Sequence, residues 1–194
     1  MQRSERRRER IMRVLERRQP DLTVVIENIH DPHNVSAILR SCDAVGVMRV
    51  ELLYTVEKFP RIGRKSSSSA NKWLERRKST SVDVCYETLR AEGFKIYATH
   101  LDSKAVSLYD LDLTERVALV FGNEHRGVSD EAARKADANF QIPMVGMIQS
   151  LNVSVAAAVS LYEALRQRTR KHDMDVPKLS PSELSTLYKE WLER

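Results

Sequence analysis

Several common signatures are missing from this chain of 194 residues. It has two cysteines, Cys42 and Cys85, with no CxxC pair and no metal-ligand spacing, so both are expected to be reduced core thiols and no metal site is expected. No uninterrupted apolar run approaches the roughly 18 residues that cross a bilayer, which excludes a membrane-spanning helix. The opening MQRSERRRER is basic but has no apolar segment behind it, unlike a secretory signal, and Glu5, Glu9 and Glu16 fit an organellar transit peptide poorly. The expected compartment is the cytoplasm. The first βα turn reads ENIHDPHN where a dinucleotide fold would carry GxGxxG, and no GxxxxGK[ST] occurs, which argues against classical dinucleotide and P-loop chemistry.

What is present is an uneven charge. The first twenty residues hold eight Arg, no Lys and three Glu, a net of +5 that equals the net charge of the whole chain. Arg6, Arg10, Arg13 and Arg17 recur at i, i+4, i+7 and i+11, one stripe of a helix, and Ile11, Val14 and Leu15 form an apolar seam opposite. Such a helix is either a solvated amphipathic element or a phosphate-binding one. The guanidinium fork suits phosphate oxygens, and an all-Arg stripe favours a nucleic-acid partner.

Beyond Pro20 the chain alternates between strands and helices. LTVVIENI and VMRVELLYT read as strands, with the helix NVSAILRSCDAV between them, an Asn N-cap before it and Gly46 behind it. The span from Glu57 to Thr80, including FPRIGRKSSSSANKW, has no period and reads as a mobile loop. SVDVCYETLRAEG is a helix, FKIYATHL and RVALVFG are strands, SDEAARKAD a helix and NFQIP a strand. A long helix from Asn152 to about Lys171 and a terminal helix SELSTLYKEWLER complete the pattern. Apolar runs such as VALVF predict an α/β fold whose parallel sheet is covered by helices on both faces. The expected organisation is a basic helix over 1–20, one domain over 21–172 and a helical extension over 173–194.

Three strand ends carry unusual polar residues: ENIHDPHNVSAILRSCDAVG, VFGNEHRGVS and IPMVGMIQSLNVSVAAA. Singly each is weak, since an Asn before a helix is usually a cap and a Gly after a strand is usually a turn. In this order they resemble the three motifs of the SPOUT-class RNA 2′-O-ribose methyltransferases of the SpoU type, across residues 20 to 172. The resemblance implies a deep C-terminal trefoil knot, a homodimer and S-adenosyl-L-methionine as cofactor. By position it assigns Thr99, Gly122, Ile142 and Leu151 to the cofactor, although core packing alone would also account for Ile142 and Leu151. It lays the apolar loop Met144–Leu151 over the adenine, with Gly146 allowing a tight bend.

The same resemblance makes Arg40 the central catalytic arginine. A guanidinium scarcely deprotonates in proteins, so Arg40 is expected to stabilise charge and align the hydroxyl rather than act as a base. Asn34 would orient Arg40 or the ribose. Glu124, Ser150 and Asn152 would surround the substrate, with Glu124 a competing base. Arg10, Arg18, His33, Arg166 and Arg168 are the expected RNA contacts. Helix-end electrostatics would equally explain Arg166 and Arg168. No aromatic platform for single strands is apparent, so recognition of folded RNA is expected. The short N-terminus resembles enzymes acting on the D-loop guanosine of tRNA. The alternatives are a ribosomal RNA 2′-O-methyltransferase and a non-catalytic RNA-binding protein of the same fold.

Overall fold

The computed structural model describes residues 2–59, 70–171, 174 and 176–194. Helix α1 (Gln2–Leu15) precedes β1 (Leu22–Glu27), α2 (Pro32–Ala44), β2 (Arg49–Leu53) and β3 (Glu75–Ser79). Then come α3 (Val82–Ala91), β4 (Lys95–Thr99), β5 (Val106–Ser107), β6 (Val117–Phe121), α4 (Asp130–Lys135), β7 (Ala138–Gln141), α5 (Val153–Arg170) and α6 (Pro181–Glu193). The seven strands form one parallel sheet in the order β3-β2-β1-β6-β4-β7-β5.

The central strands explain the architecture. Every residue of LTVVIE and VALVF is buried, because side chains alternate between two cores. Leu22, Val24, Ile26, Leu119 and Phe121 face one core with Ile38 and Leu39 of α2 and Leu161 of α5. Val25, Ala118 and Val120 face the other with Tyr86 and Leu89 of α3 and Ala132 of α4. Cys42 and Cys85 are free and buried in these cores, and burial pushes the Cys85 thiol up to about 12.

The structure departs from the sequence reading in several places. Helix α2 starts at Pro32 and is capped by Asp31, whose Oδ1 accepts from His33 N at 2.8 Å, so Asn34 is a first-turn residue rather than the cap. Strand β3, sequence ERRKS, has no apolar pattern; it is a charged edge strand held by ion pairs. Buried Glu51 accepts from Arg49 Nε at 3.0 Å and Arg77 Nε at 2.7 Å, and Glu92 pairs with the same two arginines. Residues 60–69 of the expected mobile loop lie outside the described residues, as do 172 and 173 at the expected domain boundary. The apolar seam of α1 packs on α6: Ile11, Leu15 and Trp191 form a third buried cluster with Val14, Trp73 and Leu187 against it.

Two of the expected RNA contacts are corrected by burial. Arg18 is 1% exposed, donating to Val47 O at 2.7 Å and Asp43 Oδ1 at 2.6 Å. Arg168 is 0% exposed and every one of its donor groups is engaged. Its Nε reaches Leu113 O, Nη1 reaches Gln19 Oε1 and Asp21 Oδ1, and Nη2 reaches Asp21 O and Glu115 O, at 2.6 to 3.2 Å. Both guanidiniums hold the ends of the chain to the body of the fold and are withdrawn from the outer surface. Arg166, by contrast, is paired among the described residues only with Glu163 on its own helix and stays accessible.

Arg168→Met should therefore destabilise the fold by about 3–5 kcal/mol, since it leaves three carbonyls without their donor and Asp21 paired, among the described residues, with Lys178 alone. Arg166→Met should leave the thermal midpoint essentially unmoved. Paired calorimetric melts check this; equal midpoints for the two variants would contradict it.

Candidate active site

The site forms where β1, β4, β6 and β7 end on the same edge of the sheet, the edge at which parallel α/β folds bind ligands. Gly122 directly follows β6. A Cβ there would lie 2.1 Å from Val128 N and 2.2 Å from Gly127 O, so only glycine lets the turn fold back onto the strand end. Asn123 and Gly127 close that turn through paired backbone bonds of 2.9 and 2.8 Å, with Gly127 at φ +70°. Asn123 Oδ1 accepts from the backbone of His125 and Arg126, and its Nδ2 donates to Asn28 O at 2.8 Å, tying the turn to the end of β1.

Glu124 joins the three motifs. Its carboxylate accepts from His30 N at 3.1 Å, Asp31 N at 3.2 Å and Asn34 Nδ2 at 2.9 Å, all at the start of α2. Asn34 Oδ1 in turn accepts from Asn152 Nδ2 at 3.1 Å, and Asn152 Oδ1 caps α5 through Ser154 N at 2.8 Å. Placing a carboxylate at the α2 N-terminus also complements the helix dipole. Burial raises the Glu124 pKa, but the bonds from Asn34, its own backbone, His30 and Asp31 outweigh that, and the carboxyl sits below its usual value. Glu124 is thus ionised with its acceptor sites occupied, a poor arrangement for a proton acceptor.

A cavity of about 650 Å³ opens beside this junction. Thr99, Gly122, Ile142 and Leu151 all line it, as do Glu124, Ser150 and Asn152. Thr99 Oγ1 is anchored on Val120 O at 3.0 Å, which fixes the end of β4 beside β6. Arg40 and His33 do not line it. Both stand exposed on α2, and the Arg40 side chain makes no hydrogen bond or ion pair with any described residue. Asn34 is held by Glu124 and Asn152 and makes no hydrogen bond with Arg40.

The apolar loop is only partly what the sequence implied. Met144 and Gln149–Leu151 line the cavity, whereas Val145, Met147 and Ile148 are exposed. A Cβ added at Gly146 would meet open space, and its φ is not positive, so no tight bend demands glycine there. Asn28 is the residue that sequence reasoning missed. It sits at φ +50°, and its Oδ1 accepts from the backbone of Thr55, Val56 and Glu57 at 2.9 to 3.2 Å, aligning the exits of β1 and β2. An Asn directly after a strand, a residue type that tolerates the left-handed region, was the available signal. Glu27 was missed too: burial raises its carboxyl against the opposing bonds from Ser129, the N-cap of α4. Among the described residues no group of three or more His, Cys, Asp or Glu could hold a metal ion, and no helix is long and apolar enough to cross a membrane.

Comparison with known proteins gives this geometry a family. Residues 21–162 match the model of the SpoU rRNA Methylase family. The chain is 46% identical to the tRNA (guanosine(18)-2′-O)-methyltransferase of Thermus thermophilus, over 100% of this chain and 99% of that protein. Its structure is similar to the A. aeolicus TrmH/SpoU tRNA modifying enzyme, with a TM-score of 0.91, 40% identity and coverage of 98% and 96%. It is also similar to the SpoU methyltransferase AviRb from Streptomyces viridochromogenes in complex with AdoMet, with a TM-score of 0.69, 27% identity and coverage of 76% and 57%. The strand-end motifs, the turn that admits only glycine and this similarity over nearly the whole chain agree: the protein belongs to the SpoU methylase family.

Proposed function

We propose that this protein transfers a methyl group from S-adenosyl-L-methionine to a ribose 2′-hydroxyl of tRNA, at the D-loop guanosine of position 18. The observation that carries the reading is the Glu124–Asn34–Asn152 junction, which gathers all three motifs at the mouth of one cavity. Full-length similarity to an enzyme named for that reaction supports the substrate.

The cavity suits the cofactor on physical grounds. Its volume lies in the usual range for small-molecule sites, its wall at Ile142, Met144 and Leu151 is apolar, and the Gly122 turn brings main chain to its surface. When bound, the cofactor supplies an electrophilic sulfonium methyl. Thr99, Gly122, Ile142 and Leu151 would hold it. The remaining task is to present a weakly acidic hydroxyl in line and to stabilise the developing alkoxide. Arg40 is the candidate: its guanidinium is exposed, unpaired among the described residues and permanently charged. It would bind the neighbouring phosphate, align the ribose and leave the proton to phosphate or water. Glu124 and Asn34 would act by fixing the loops, and Ser150 and Asn152 by shaping the rim. Arg10, His33 and Arg166 remain the RNA contacts of the proposal.

Two further features belong to this reading. The sheet order sets β7 between β4 and β5, although β4 and β5 are consecutive in sequence, and His100 in their connection donates to Phe140 O of β7 at 3.2 Å. The placing of β7 between two strands that are consecutive in sequence supports the proposed trefoil knot. Helix α5 exposes Val155 and Tyr162 one heptad apart, at 47% and 54%, which supports a homodimer through that helix.

Incubating tRNA with enzyme and labelled cofactor, then digesting for mass spectrometry, should locate one labelled methyl on the ribose of guanosine 18. A methyl on a base, or none in folded enzyme, would overturn the reading. Arg40→Ala should lower kcat roughly a hundred- to a thousandfold and leave the cofactor Kd nearly unchanged. Light scattering should give twice the chain mass, falling toward one chain in Tyr162→Asp; a wild-type monomer at micromolar concentration would remove the dimer.

A further inference from the structure

A second cavity, of about 310 Å³, lies apart from the cofactor site among α1, the α2 C-terminus, the segment leading into β3 and α6. Its lining is Arg7, Arg10, Ile11, Val14, Arg18, Asp43, Trp73 and Trp191. A packing void between two amphipathic helices would be lined by aliphatic groups. This one carries three guanidiniums against one carboxylate, and Asp43 is already engaged by Arg18.

Both tryptophans of the chain meet here, with ring centroids 4.8 Å apart. Trp191 is buried, and the guanidiniums of Arg18 and Arg194 lie 5.0 and 5.7 Å from its ring centroid. Trp191 therefore serves as the wall, and half-buried Trp73 keeps ring surface toward the cavity. Arg18 is almost wholly out of solvent, yet its Nε has no hydrogen-bond partner. Arg7 is held by Leu192 O at 2.9 Å and Trp191 O at 3.4 Å, which rigidifies the rim. Arg10 is exposed and makes no hydrogen bond or ion pair with any described residue, which leaves its cation available at the mouth.

From this we propose that the cavity is a nucleotide-binding pocket that takes one unstacked nucleotide of the RNA substrate, its base against Trp73 and its phosphate on Arg10 and Arg7. Aromatic surface beside an available guanidinium is the pairing that binds single nucleotides without reading their sequence. The volume holds a nucleotide and little more. The pocket rests on the reading that the substrate is RNA, and adds an anchoring point away from the methylated ribose. No aromatic platform was expected from the sequence because Trp73 and Trp191 are far apart in it and meet only where α6 packs beside the segment leading into β3.

Intrinsic tryptophan fluorescence reports this pocket alone. The intact protein, with the cofactor site filled by S-adenosylhomocysteine, is titrated with guanosine 5′-monophosphate and with a single-stranded tetraribonucleotide, against ribose 5-phosphate and inorganic phosphate. The two base-bearing probes should quench saturably and the other two should not. Arg10→Ala should weaken the quenching roughly tenfold without shifting the thermal midpoint. In methyl transfer to tRNA, Trp73→Leu should raise KM several-fold with kcat kept, and Trp73→Phe should restore KM. No saturable quenching, or equal quenching by inorganic phosphate, overturns the pocket. Quenching by the mononucleotide with an unchanged tRNA KM in both Arg10→Ala and Trp73→Leu makes it a free-nucleotide site and overturns the RNA assignment. Because quenching needs no methyl transfer, a wild-type enzyme that modifies no tRNA would refute the proposed activity separately.

Discussion

The carboxylate of Glu124 is the contact on which the site depends. Three segments far apart in sequence meet at one sheet edge, and the apolar packing of Val35, Phe121 and Val153 beneath them leaves their polar ends still to be joined. Glu124 accepts two backbone N–H groups and one side-chain amide from the start of α2, and Asn34 passes the connection to Asn152 and α5. An uncompensated carboxylate at that depth would be costly; three donors and a helix N-terminus make it favourable and directional. The same saturation that makes Glu124 a good clamp makes it a poor base.

The sheet supplies the frame for that clamp. Burying β1 and β6 on both faces sets their register, Val24 against Leu119, and so fixes where both strands end. Asn28, Asn123 and Gly122 then turn these ends toward each other within a few residues. Arg40 stays exposed and the cavity stays open, so the groups that would meet substrate are available while their supports are engaged. At the opposite extreme, Arg168 joins residues from Gln19 to Glu115 with every donor used, and the terminal helices are carried by the body of the fold.

Periodicity exposed most of the fold because the central strands are apolar on both faces and the helices are amphipathic. It missed β3, whose ERRKS sequence is stabilised by ion pairs with β2 and with Glu92 at the end of α3, and β5, which is two residues long. The cofactor-side residues came from motif resemblance and converge on one cavity, which spacing alone would not have revealed. Arg18 and Arg168 were misread for a physical reason. A sequence records their charge but not the carbonyls that fold around them, and a buried arginine reads the same in sequence as one facing phosphate. The tryptophan pair escaped notice because its members lie on elements joined only by tertiary packing.

The decisive measurement is Glu124→Gln followed in two ways on one preparation: calorimetric affinity for S-adenosylhomocysteine and the pH profile of kcat. A neutral amide cannot accept all three donors, so affinity should fall roughly tenfold, about 1.4 kcal/mol, while the profile keeps its shape. Unchanged affinity, with kcat abolished together with its pH-dependent limb, would make Glu124 the proton acceptor and contradict the clamp.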